Sequence, residues 1–247
     1  MKFRKIRKKD NFNTTDYASV IGKNRSFSTA EAHKRLRTNV MFSFPDEAQC
    51  RVIGITSAMA HEGKTTTALN LAYDLFQLGK KVLVIDADMR MSNVAQILNI
   101  NRDPGLSDLL VGAKDGSRYI QMPGELDSLP IITSGNPPPN PSELLASRRM
   151  GIMLDTLKQK YDYIIIDLPP VSAVSDALIL SKLTDGMIVV VRQDYADKRL
   201  LDDAIRQLHF QEARIIGFVM NGARTESNYG RYGHYSKYGY YASQDEV

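Results

Sequence analysis

The chain of 247 residues has a single cysteine, Cys50, and no tryptophan. One thiol excludes an internal disulfide and any multi-cysteine metal site. Its four histidines, His33, His61, His209 and His234, are scattered without the spacing of metal ligands. Aliphatic runs such as Met187-Ile188-Val189-Val190-Val191 fall far short of the roughly 20 residues that span a bilayer. No apolar segment follows the charged N-terminus, so a secretory signal is not expected. These absences point to a cytoplasmic protein stabilised by an ordinary core, which 43% hydrophobic and 24% charged residues allow.

What is present is unevenly spread. Lys2, Arg4, Lys5, Arg7, Lys8 and Lys9 precede the first acidic residue, so the net charge of +4 sits in the leader and the rest is slightly acidic. Such a leader is either simply solvated or drawn to an anionic membrane surface. No nucleic-acid recognition module accompanies it, so no specific nucleic-acid partner is expected. At the other end, six of the twelve tyrosines fall within YGRYGHYSKYGYY: Tyr229, Tyr232, Tyr235, Tyr238, Tyr240 and Tyr241. Almost nothing aliphatic surrounds them.

Between these ends the pattern alternates. Apolar runs at 52–56, 82–85, 130–132, 163–166, 187–191 and 215–220 read as strands buried on both faces. Amphipathic stretches at 64–78, 142–160, 174–183 and 198–209 read as helices between them. This predicts an α/β fold, a mostly parallel sheet flanked by helices on both faces. An earlier helix is expected from Ser28, whose spacing to Glu31 suits a capping box, with Ala32, Leu36 and Val40 on one face. In GNPPPNPSELL, residues 135–145, the prolines force an extended path; Ser142 suits an N-cap and Glu143 the first turn of the next helix. The expected organisation is a flexible leader over 1–27, a domain over 28–224 and a flexible tail over 225–247.

The strongest chemical signal is VIGITSAMAHEGKTTTALNLA, residues 52–72: a strand, a loop of small residues, then Gly63-Lys64-Thr65 opening a helix. That is the context of a phosphate-binding loop, although Ala58 stands where the pattern has its first glycine. Backbone N–H groups over Ala60, His61, Glu62, Gly63, Lys64, Thr65 and Thr66 would converge on phosphate at a helix N-terminus. Lys64 would neutralise the β- and γ-phosphates of ATP, and the Thr65 hydroxyl would ligate Mg²⁺. Two further strands end in acids, KKVLVIDADMR at Asp86 and Asp88 and YDYIIIDLPP at Asp167. In an open α/β sheet these strand ends share one crevice with the phosphate loop. Asp86, Asp88 and Asp167 are therefore expected around a bound Mg²⁺–nucleotide, and the sequence alone does not distinguish which of them hold the metal with Thr65, directly or through water, and which acts as a base.

Asp86-Ala87-Asp88-Met89-Arg90 resembles the extra acidic motif of the deviant P-loop ATPases. The phosphate loop lacks that group's additional early lysine. This departure, the Pro-rich segment and the tyrosine tail resemble the bacterial protein-tyrosine kinases of capsular and exopolysaccharide synthesis, of the CpsD/CapB type, over roughly residues 28–247. The resemblance implies a P-loop NTPase-like fold using ATP and Mg²⁺, with Lys64 and Asp86 catalytic and Asp86 orienting or deprotonating the incoming tyrosine. It implies that EAHKRLRTN, residues 31–39, is the E-x-x-R-x-x-R helix of ring assembly, candidate interface 28–43, with Glu31 and Arg37 matching and Lys34 in place of the central arginine. The plain alternative is an exposed helix on which Glu31 pairs with Lys34 or Arg35. Asn221 would contact adenine, as in related ATPases, or else merely form an Asn-Gly turn after the last strand.

The resemblance further implies a homo-oligomeric ring, an octamer being one arrangement, a membrane adaptor of the polysaccharide co-polymerase type that recruits and activates the kinase at the inner face of the plasma membrane, and a cognate tyrosine phosphatase. The six tail tyrosines become the phosphoacceptors, reached by a neighbour's cleft. The competing expectation is a partition- or division-type (ParA/MinD-like) ATPase switch that moves no phosphate onto protein.

Overall fold

The computed structural model describes residues 20–44, 49–112 and 116–223. In chain order these form α1 (Phe27–Phe42), β1 (Arg51–Ser57), α2 (Lys64–Phe76), β2 (Val82–Asp86), α3 (Val94–Ile97), α4 (Leu106–Gly112), β3 (Ile131–Ile132), α5 (Pro141–Leu145), α6 (Arg148–Lys158), β4 (Tyr163–Asp167), α7 (Asp176–Ser181), β5 (Gly186–Arg192), α8 (Lys198–Phe210) and β6 (Ile215–Asn221). Short 3-10 turns separate some of them.

Each expected strand is present, and the six form one sheet in the order β3-β2-β4-β1-β5-β6 with every pairing parallel. Because successive strand residues point to opposite faces, each apolar run supplies two cores. Ile53, Ile55, Val84, Ile165 and Val190 pack with Leu69, Leu71 and Leu75 of α2 and Val40 of α1. Val52, Leu83, Ile85, Ile164, Ile166 and Val189 pack on the other face with residues of α4 to α8, among them Leu110, Met150, Leu154, Leu180 and Leu208. The sheet is therefore flanked on both sides. β6 departs from the expectation of two buried faces: Phe218 and Met220 are 55% and 64% exposed. It is an edge strand, paired on one side only, to β5.

Helix boundaries differ where local chemistry is decisive. α1 begins at Phe27, because the Ser26 hydroxyl accepts from Thr29 N and caps it two residues before the Ser28–Glu31 box. Ala32 faces solvent, while Leu36 and Val40 pack against the α2 side of the sheet. The stretch 142–160 is two helices, α5 and α6, broken at Ala146 and Ser147. Pro141 occupies the first turn of α5, where a missing N–H costs nothing. Ser142 is thus not a cap, and its hydroxyl turns to Asp176 instead.

The leader was expected to be flexible to residue 27, yet from Val20 onward the chain is strapped to α2. Asn70 donates to Val20 O and accepts from Gly22 N, and Arg25 grips Asp74 through both Nη atoms with both side chains 5% exposed. A bidentate guanidinium–carboxylate pair of this kind orders a polar segment that has little apolar surface of its own. The rest of the leader, residues 1–19, and residues 224–247, which include the tail with its six tyrosines, lie outside the described residues.

Candidate active site

β1 lies at the centre of the sheet with β4 beside it and β2 beyond, so three strands deliver their C-terminal ends to one place. The register sets Ile55 opposite Asp167 and Asp167 opposite Asp86. The loop after β1 rises to Gly63, which adopts φ 92° and opens α2 at Lys64. Glycine is required there: a Cβ would lie 1.9 Å from Asn221 Nδ2. His61 also holds a positive φ of 64°, which is strained for a residue with a side chain.

Lys64, Thr65, Asp86, Asp88 and Asp167 all come together and are nearly inaccessible, none above 6% exposed. Lys64 Nζ donates to Asp88 Oδ2 at 3.0 Å and lies 3.7 Å from Asp167 Oδ1. Burial works against its charge, but Asp167 and Asp88, with Asp86 behind them, outweigh burial and raise its proton affinity above the usual lysine value. Asp88 Oδ1 accepts from Met91 N. Asp86 accepts from Asp88 N on Oδ1 and from the Ser92 hydroxyl on Oδ2. Burial, then the neighbouring Asp167, push Asp86 up to about 7 against the opposing pull of Ser92 and Lys64. Burial likewise raises Asp167, although Lys64 and Thr65 pull the other way.

Both carboxylate oxygens of Asp167 are buried without a hydrogen-bond partner. A buried carboxylate that is ion-paired, here to Lys64, but accepts no hydrogen bond is costly unless a ligand completes it. Beside a lysine and a threonine hydroxyl at a helix N-terminus, it fits a cation held between protein and phosphate. Among the described residues no group of three or more His, Cys, Asp or Glu side chains closes on a metal by itself. A Mg²⁺ here would take Asp88, Asp167, Thr65 and ligands from outside the protein, phosphate oxygens or water.

Two residues, Glu62 on the loop and Asn221 at the end of β6, do something else. The fully buried Glu62 accepts from Met59 N at 2.7 Å and from Arg192 N at 3.4 Å, clamping the loop to the end of β5. Asn221 donates from Nδ2 to Glu62 O at 2.9 Å and accepts from Gly222 N, so in this structure its amide ties β6 to the loop. The sequence placed Glu62 only as one of the phosphate-loop positions; its clamp depends on Arg192, 130 residues away. Arg90, given no role by the sequence, donates to the buried Asp176 and to Ser142, tying the acidic loop to α5 and α7. On α1, Lys34 pairs with Glu31 at 2.7 Å on the surface, while Arg37 turns toward α2 and donates to Asp74 O.

A parallel sheet with a glycine-to-lysine loop at the head of a helix and acidic strand ends around it defines a P-loop nucleotide-binding protein. Residues 50–210 match the family described as an AAA domain. The tyrosine-protein kinase YwqD of Bacillus subtilis is 37% identical over 206 residues, 83% of this chain and 86% of that protein. The tyrosine-protein kinase wzc of Salmonella typhi is 33% identical over 83% of this chain, which spans only 28% of that longer protein. Among solved structures, the kinase domain of the Escherichia coli tyrosine kinase ETK superposes with a TM-score of 0.76 at 32% identity, covering 87% of this chain and 84% of that one. The chain belongs to the AAA-domain ATPases and, within them, to the bacterial tyrosine-protein kinases.

Proposed function

We propose that the protein is an ATP- and Mg²⁺-dependent tyrosine autokinase that phosphorylates its own C-terminal cluster, Tyr229, Tyr232, Tyr235, Tyr238, Tyr240 and Tyr241, in trans within a ring. The observation that carries this reading is the orphaned Asp167 beside the buried Lys64 and Asp88, with Asp86 on the adjacent strand. The loop from Ala60 to Thr66 holds the phosphates, and Lys64 compensates charge on the γ-phosphoryl as it moves. Mg²⁺, held by Asp88, Asp167 and Thr65 directly or through water, would supply neutralisation of phosphate charge. Asp86 receives the tyrosine hydroxyl and takes its proton as the new oxygen–phosphorus bond forms and ADP leaves. A carboxyl held at about 7 matches a proton acceptor working near neutrality. Asn221, whose amide here bonds to Glu62 O, would turn to adenine once nucleotide enters.

Six modified tyrosines would add roughly −9 to −12 charge units, a repulsion that frees tails from neighbouring clefts and loosens a ring built through Glu31, Lys34 and Arg37. On this reading the cycle runs in the cytoplasm under a membrane adaptor, is reversed by a cognate tyrosine phosphatase, and controls capsular or exopolysaccharide synthesis and export. Among the described residues no helix is long and apolar enough to cross a membrane. Incubation with γ-labelled ATP and Mg²⁺ followed by phosphotyrosine mapping tests the reading. Label is expected on the tail tyrosines, and Asp86→Asn is expected to lower it at least 100-fold while Mg-ATP affinity stays within threefold. ATP hydrolysis without label on protein would favour the partition-type switch instead.

A further inference from the structure

The loop between β2 and α3, residues 87–93, is pinned along its length. Arg102 Nη2 donates to Met89 O, Asp88 Oδ1 accepts from Met91 N, Asn93 Nδ2 donates to Met91 O, and Arg90 is tied to Asp176 and Ser142. Ser92 therefore has a defined place. It is half-buried between the exposed Met91 and Asn93, and its hydroxyl donates to Asp86 Oδ2 at 2.6 Å. Asp86 has no accessible surface, and its other oxygen takes the Asp88 backbone N–H at 3.1 Å.

One donor on each oxygen fixes the rotation of a carboxylate about its Cβ–Cγ bond and leaves one lone pair per oxygen for a third partner. Of the two donors, only Ser92 comes from a side chain, and it is half-buried between two exposed residues. Holding a proton acceptor within a few tenths of an ångström matters at the moment of transfer and little for nucleotide binding, which uses the loop and Lys64.

We propose that Ser92 is a positioning residue for phosphoryl transfer, holding the Asp86 carboxylate in the orientation in which it meets the tyrosine hydroxyl. This rests on the assignment of Asp86 made above. A serine that only stabilised the loop would affect folding and nucleotide affinity alike; one that acts through Asp86 affects the transfer rate alone, and only while Asp86 is an acid.

The test uses the full chain, with Ser92→Ala, Ser92→Thr and Ser92→Cys, each also combined with Asp86→Asn. The rate of tail phosphorylation at saturating Mg-ATP is measured alongside Mg-ADP affinity and the thermal midpoint. Ser92→Ala and Ser92→Cys, which lacks a strong donor, are expected to lower the rate about tenfold or more with Mg-ADP affinity within twofold. Ser92→Thr, which keeps the hydroxyl, is expected to restore it to within threefold. In the Asp86→Asn background, where residual transfer is followed over hours, Ser92→Ala is expected to change the rate less than twofold. A wild-type rate in both Ser92→Ala and Ser92→Cys overturns the inference, and so does an equal loss in the presence and absence of Asp86. Full activity of Asp86→Asn alone would instead sink the parent assignment. Should one variant fail to fold, the other decides.

Discussion

Lys64 is commonly considered for its hold on phosphate, but the geometry gives it a second duty that stability measurements can isolate. Among the described residues Lys64 is ion-paired with both Asp88 and Asp167, at 3.0 and 3.7 Å. At an effective dielectric constant near 20, those two separations correspond to about 5.5 and about 4.5 kcal/mol of attraction. Desolvation of the ammonium offsets several kcal/mol. Breaking a buried pair by removing one partner costs about 3–5 kcal/mol. Lys64→Met should therefore lower the stability of the nucleotide-free protein by about 3 kcal/mol, read as the urea midpoint at pH 7.5 with an unchanged slope. Adding Asp167→Asn to Lys64→Met removes one uncompensated charge and should recover at least half of that loss, while phosphoryl transfer stays absent from both variants. A Lys64→Met protein within about 0.5 kcal/mol of the parent, below the usual cost of such a break, would refute the claim that this lysine compensates the carboxylates in the empty site.

Two further outcomes follow from local geometry. His33 on α1 is depressed to about 4 from 6.5, first by burial and then by Arg25, with Asp74 opposing. Because its folded value lies below the unfolded one, the unfolded chain takes up a proton that the folded chain refuses, and stability falls as the pH drops from about 6.5 toward 4; the loss is roughly 1 kcal/mol by pH 5.5. Comparing urea midpoints at pH 7.5 and 5.5, His33→Gln should remove that part of the acid sensitivity, and an identical pH dependence in both proteins would count against it. Gly63→Ala must accommodate both a φ of 92° and a Cβ 1.9 Å from Asn221 Nδ2. Left-handed strain alone costs about 1–2 kcal/mol, so ATP affinity by calorimetry should fall at least tenfold, with Asn221→Ala restoring part of it; wild-type affinity in Gly63→Ala would refute the close approach.

Much of the architecture was legible because its signals are local. Apolar runs of strand length separated by amphipathic helices point to a parallel sheet covered on both faces, and all six runs are strands of one, with β6 at its edge left partly exposed. Gly63-Lys64-Thr65 between a strand and a helix is readable for the same reason: the residues that make the loop are contiguous. Asp86, Asp88 and Asp167 could be placed near it because strand ends share one edge of an α/β sheet. The boundaries of α1 and α5 were less legible, since a hydroxyl at Ser26 and a proline at 141 decide them at single-residue resolution.

Other features depended on partners far away in the chain. The strap from Val20 to Arg25 is ordered by Asn70 and Asp74 on α2, and nothing in its polar composition announces those contacts. Glu62 looks like a loop residue until Arg192 arrives from β5, and Asn221 becomes a tie to the loop only when β6 is laid at the sheet edge. Ser92 is an ordinary serine by sequence; its hydroxyl matters because Arg90 and Arg102 hold its loop from two distant segments. By itself the sequence determined the class of fold, the phosphate loop and which acids face it, because those follow from periodicity and contiguous motifs. Which oxygen each donor meets, which carboxylate stays orphaned and which loop is held still were decided only by the tertiary structure, because hydrogen bonding and burial depend on distances that no spacing along the chain encodes.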